Sequence, residues 1–214
     1  NFLIDTALPT IGLRKGIKHR ASNRRRTMFE RFAGETVKHL YNHPSVCYYT
    51  IFNEGWGQYD ADRIYTEMKK LDSTRIWDAT SGWFKGKSSD VDSEHIYFKK
   101  IKLSARAERP LVLSEFGGYS CKVENHSFNL DKNYGYKTFA GEKELCKGIK
   151  ALYTEEIIPA IKDGLCAAVL TQLSDVEDET NGLVTYDRQV IKTGEAVMQE
   201  LSQMIRQEFD KVSY

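Results

Sequence analysis

The amino-acid sequence predicts an α/β fold, with parallel strands and helices packed outside them. Short apolar runs alternate with stretches of helical or irregular character, giving about five strand–crossover units. Parallel strands need such crossovers, so alternation of this kind implies a parallel sheet. Two of the runs also end alike: "YYTIFNEGWGQ" (48–58) and "RPLVLSEFGG" (109–118) each pass from apolar residues to a glutamate and then to glycine.

Residues 27–41 carry Phe29, Phe32, Ala33, Val37, Leu40 and Tyr41 near helical spacing, and Asn42-His43-Pro44 ends that helix. The following "SVCYYTIF" (45–52) reads as a strand buried on both faces. Asp60 is placed to cap a second helix, on which Ile64, Met68 and Leu71 lie four and three apart. "RIWDAT" (75–80) and "EHIYF" (94–98) are short strands, and "RPLVLSEFGG" is a fourth, entered through a proline. The polar, aromatic-dotted stretch 119–141 is too long to be a mere connector. Beyond it, Leu145, Ile149, Leu152 and Ile157 face inward from a helix that Pro159 kinks or restarts. "LCAAVLTQL" (165–173) is the last strand, and an amphipathic helix with Val197, Leu201, Met204, Ile205 and Phe209 follows.

With 214 residues and a net charge of +1, the chain can bury a sizeable core and is no general polyanion binder. Its one basic run, "KHRASNRRR" (18–26), lacks any accompanying nucleic-acid motif and reads as a solvated loop ahead of the first helix. Neither nucleic acid nor membrane is an expected partner, since no apolar run approaches the roughly 18 residues of a membrane span. The four cysteines show no C-x-x-C spacing, and Cys47 and Cys166 sit in apolar runs as small buried hydrophobes do. All four are expected to be reduced, which favours a cytoplasmic setting. The start, "NFLIDTALPTIG", has neither an initiator Met nor the pattern of a signal peptide, so a longer parent chain is expected.

In parallel α/β folds, chemistry gathers at the carboxyl ends of the strands. Glu54 and Glu115 both hold that position, and two such carboxylates can converge on one pocket. Glycoside hydrolysis requires this pair, one to protonate the leaving oxygen and one to attack the anomeric carbon or activate water.

The motifs "YNHPSVCYYTIFNEGWGQ", "RPLVLSEFGGY" and "TQLSDVEDETNGLVTYDR" resemble, in order, strands 4, 7 and 8 of glycoside hydrolase family 2, the β-galactosidase and β-glucuronidase family. The resemblance covers nearly all of the chain and implies a partial (β/α)8 TIM barrel, strands 4 to 8 with their helices, with residues 1–214 as the carboxyl-terminal portion of the catalytic domain. It implies a retaining exo-β-glycosidase, β-galactosidase-like, with Glu54 as acid/base and Glu115 as nucleophile. Asn53 would contact the sugar 2-hydroxyl, Tyr97 would hold the nucleophile with His95 beside it, and Trp83 in "TSGW" would stack on a sugar ring or pack on the rim. Relatives often end strand 8 with a Trp, where this chain has Leu170, Thr171 and Gln172, which leaves the sugar open. A β-glucuronidase or β-mannosidase of the same family is the alternative enzyme, and a non-catalytic carbohydrate-binding or assembly fragment the alternative class. No cofactor is implied. The acidic run Asp175, Glu177, Asp178, Glu179 lacks calcium-loop spacing and reads as a solvated or Arg-paired loop. A barrel lacking strands has free edges, so self-association and negligible activity of the isolated chain are expected, with residues 1–13 as a candidate edge partner.

Overall fold

The computed structural model of the chain describes residues 22–55, 57–97, 99–103, 108–132 and 134–212. Two compact units emerge, one drawn from Asn1–His95 and Arg106–Pro110, the other from Ile96–Ala105 and Leu111–Tyr214. Residues 1–13, the expected edge partner, lie outside the described residues.

The first unit begins with α1 (Asn23–Leu40). Ser22 caps it, accepting a hydrogen bond from the Arg25 amide at 3.4 Å. The expected basic loop is therefore corrected: residues 23–26 form the first helical turn, since Ser22 supplies a cap and arginine is a good helix former. Residues 18–21 lie outside the described residues. Of the apolar stripe only Val37 is fully buried, while Phe29 stacks on Phe52 with ring centres 5.3 Å apart. Strand β1 (Tyr48–Asn53) pairs in parallel with β2 (Ile76–Ser81), in register from Tyr48 opposite Ile76 to Asn53 opposite Ser81. Burial of β1 on both faces is not found: Phe52 is buried, but Thr50 and Asn53 are exposed. The strand shares a core of Val37, Phe52, Ile64, Met68 and Trp77 with the helices, and Tyr49 and Ile51 pack against it partly buried.

Helix α2 (Ala61–Leu71) links the two strands and buries Ile64 and Met68. Asp60 stands at its N-cap without capping it. The residue adopts a left-handed φ of 40°, and its carboxylate instead lies 3.9 Å from Arg63. Arg75 ties the turn before β1 to the entry of β2, donating to the carbonyls of Tyr41, His43 and Val46 and pairing with Asp72 at 2.6 Å. Strand β3 (Asp92–Ile96) follows, its Asp92 amide bonded to the Pro110 carbonyl.

In the second unit, β4 (Leu111–Gly117) runs parallel to β7 (Leu165–Thr171). The long segment between β4 and the next helix contains the short parallel pair β5 (Tyr119–Ser120) and β6 (Lys137–Thr138). Helix α3 (Glu142–Leu152) continues through a π-helical turn, Tyr153–Ile157, into α4 (Ile158–Lys162), which restarts with Pro159 in its first turn as the sequence predicts. Helix α5 (Glu195–Val212) ends the chain and buries Leu201. One core cluster gathers Ile96, Leu113, Phe116, Leu152, Ile157 and Leu165. A second joins Cys121, Leu145, Ile149 and Leu201.

Strand β7 is buried only at Leu165, with Cys166 to Val169 exposed and Val169 at 56 %. The expected burial of Cys47 and Cys166 is accordingly wrong: both are exposed, Cys47 just before β1 and Cys166 within β7 among exposed neighbours. The acidic run also departs from expectation. Asp175 is neither solvated nor paired with arginine but buried against the fully buried Lys192 at 2.7 Å. The Lys192 ammonium also donates to the carbonyls of Cys121 and Thr180, at 3.0 and 2.9 Å, so all three of its protons have acceptors. Among the described residues, no helix is long and apolar enough to cross a membrane.

Candidate active site

Glu54 is the first residue after β1. Its amide donates to the Ser81 carbonyl at 2.9 Å, extending the β1–β2 ladder by one residue. Its φ of 52° then turns the chain out of the strand. A non-glycine residue holds that conformation at a cost of roughly 1–3 kcal/mol, a kind of strain that clusters at functional sites. The carboxylate meets His95 of β3, with Glu54 Oε1 2.9 Å from Nδ1, while Ser81 Oγ lies 2.9 Å from Nε2. The imidazole thereby bridges the Glu54 carboxylate and the Ser81 hydroxyl. Gly82, at φ 93°, makes room for this ring: a Cβ there would sit 2.9 Å from His95 Cγ. Trp83 follows, 39 % exposed, its indole N–H 3.4 Å from the His95 carbonyl. Asn53 is exposed at the end of β1.

Glu115 belongs to the other unit, two residues before the end of β4. The Tyr97 hydroxyl donates a very short hydrogen bond to Glu115 Oε2 and lies 3.0 Å from the Thr171 hydroxyl at the end of β7. Burial, reinforced by the bond to Glu115, pushes the Tyr97 phenol well above its usual range. It therefore stays a neutral donor to the carboxylate. Its ring stacks on Tyr136, with centres 3.9 Å apart and planes 15° from parallel. Gly118, at φ 61°, permits that approach, since a Cβ would run into the Tyr136 ring.

The first unit thus brings together Glu54 and His95, with Trp83 alongside, and the second brings together Tyr97 and Glu115. Ser81 and Tyr136 were not singled out from the sequence, and Thr171 was noted only as standing where relatives often carry a Trp. Ser81 and Thr171 close β2 and β7, so strand-end position was the signal that could have found them. Tyr136 lies inside the long 119–141 segment and had none.

The family model for the TIM barrel domain of glycosyl hydrolases family 2 matches residues 7–126, more than half of the chain. The chain belongs to glycosyl hydrolases family 2. Solved structures agree on the fold, a partial TIM barrel. A β-glucuronidase from Faecalibacterium prausnitzii superposes with a TM-score of 0.57 at 14% identity, covering 83% of this chain and 35% of its own. A β-glucuronidase from an uncultured Clostridium sp. gives 0.56 at 17% identity, with 83% and 36% covered. A candidate β-galactosidase from Bacteroides fragilis gives 0.56 at 15% identity, with 82% and 30% covered. This family 2 chain spans about a third of the length of those structures. No curated protein sequence matches it.

Proposed function

We propose that this family 2 chain supplies the catalytic carboxylates of a retaining exo-β-glycosidase, β-galactosidase-like. Glu115 is the nucleophile that attacks the anomeric carbon. Glu54 is the acid that protonates the leaving oxygen and the base that later activates water. The observation that carries the reading is the Tyr97–Glu115 hydrogen bond, within a barrel fold and at the end of a strand. A phenol donating to the carboxylate fixes its orientation for attack on the anomeric carbon. His95 acts through Glu54: it engages Oε1 and leaves Oε2 as the atom to carry the transferred proton. Asn53 is placed next to the acid/base, where a bond to the sugar 2-hydroxyl would strengthen in the transition state. The activity is proposed for the complete barrel, since the chain spans only about a third of the structures it resembles.

The test is kinetic and uses the full-length protein. Glu115→Gln should abolish formation of the glycosyl intermediate, because an amide is a poor nucleophile. Glu54→Gln should spare the first step with nitrophenyl glycosides, whose leaving groups need little protonation, and slow it with alkyl glycosides. Equal losses for both variants on both substrate types would count against these roles. A panel of nitrophenyl β-galactoside, β-glucuronide and β-mannoside assigns the sugar. Absence of turnover on all three would favour a non-catalytic assembly role.

A further inference from the structure

The second unit holds a cavity of about 430 Å³ beside the Tyr97–Glu115 pair. That volume lies within the range of small-ligand sites. Its apolar wall comes from Ile96, Ile101 and Leu152, its aromatic wall from Tyr97, Tyr119 and Tyr136, and its cations from Lys99, Lys100 and Lys137. Lys137 is held in place by the ring faces of Tyr119 and Phe139, 5.3 and 5.1 Å from its ammonium. Lys99 and Lys100 are both exposed and form no ion pair among the described residues. Two glutamates also line it, but Glu156 is committed: its carboxylate accepts from the Ile101 amide at 2.6 Å. Among the described residues, three lysines therefore line the cavity with one uncommitted carboxylate, Glu155. Both glutamates lie in the π-helical turn, a distortion that recurs at functional sites.

Lysines beside aromatic faces suit a ligand with an anionic group and a flat, partly apolar body. Sugar rings present such a C–H face. We propose that this cavity binds an anionic saccharide unit, its carboxylate or sulfate on Lys99, Lys100 and Lys137 and its ring against the tyrosines. Tyr97 both lines the cavity and donates to Glu115, so the bound unit is a part of the substrate beyond the one cleaved. The choice of a saccharide rests on the glycosidase reading; the anion site rests on the lysines alone.

The experiment is calorimetric titration of the full-length protein carrying Glu115→Gln, which removes turnover, and the dependence on the lysines reads this site apart from the glycosidase assignment. Digalacturonic acid is the probe, with neutral galactobiose and sodium sulfate as comparison arms. Digalacturonic acid should bind, should weaken as salt is raised, and should bind roughly fivefold or more weakly to K99Q/K100Q. K38Q, on α1 in the other unit, should leave it unchanged. Both lysines are exposed, so the double variant should keep its melting temperature, and K137Q provides a second variant at the same wall. No binding of digalacturonic acid overturns the proposal, as does binding indifferent to the lysine substitutions, or equal binding of galactobiose. Sulfate binding with the same affinity and the same lysine dependence reduces the site to a simple anion site and overturns its assignment to a saccharide.

Discussion

Tyr97 and Glu115 lie 18 positions apart in sequence, and the phenol reaches the carboxylate because β3 and β4 end near each of them. A hydrogen bond to a charged group is worth about 1.5–3 kcal/mol. In the full-length enzyme, Tyr97→Phe should therefore lower kcat on a good substrate about 10- to 100-fold, with little change in melting temperature. A loss below about threefold, measured under saturating substrate, would show that the phenol does not hold the nucleophile. Glu54 and Glu115 were legible in the sequence because an apolar run stopping at a glutamate before glycine is a local pattern. The partners Ser81 and Thr171 were not, since a hydroxyl at a strand end acquires meaning only from the group it meets across the fold. Asp175 was misread for the same reason: its neighbours are acidic and polar, and its counter-charge, Lys192, comes 17 residues later.

The elements themselves follow hydrophobic period and punctuation closely. Asn42-His43-Pro44 ends α1, Pro110 precedes β4, and Pro159 marks the restart of α4. Burial was less legible than element type, as β1 and β7 show. A run apolar on both sides predicts a strand, but the packing of each side depends on which neighbours are present. Connections between elements carry their own energetics, and the buried Lys192–Asp175 pair is the main one. It fastens the segment after β7 to the carbonyls of Cys121 and Thr180. Removing one partner of a buried pair strands the other, at a cost of about 3–5 kcal/mol. Lys192→Met should destabilise the chain by that amount in urea unfolding, and the double variant Lys192→Met/Asp175→Leu should recover most of it. Equal instability of the single and double variants would mean that the ammonium serves its two carbonyl partners rather than the carboxylate.

For the whole molecule, β7 leaves apolar surface uncovered among the described residues, with Val169 at 56 % and Leu173, just beyond, at 75 % exposed. β7 is also a terminal strand of its sheet among the described residues. Burying about 400 Å² of such surface is worth roughly 10 kcal/mol, comparable with the stability of a typical domain. We therefore propose that the isolated chain self-associates and turns over glycosides negligibly. Light scattering should give a mass above the 24.6 kDa monomer at high concentration. A clean monomer together with normal turnover would refute the proposal. The π-helical turn bears on the chain in a different way. Along α3 the buried positions run Leu145, Ile149, Leu152, and an unbroken α-helix would bring Glu156 inward next; Ile157 is buried instead. The helix has absorbed one extra residue within five positions, which restores the apolar face beyond it and frees Glu156 to hold Ile101. Beyond the turn the buried face runs on through Ala160 and Ile161, so the helix arrives at β7 with its apolar side still toward the core.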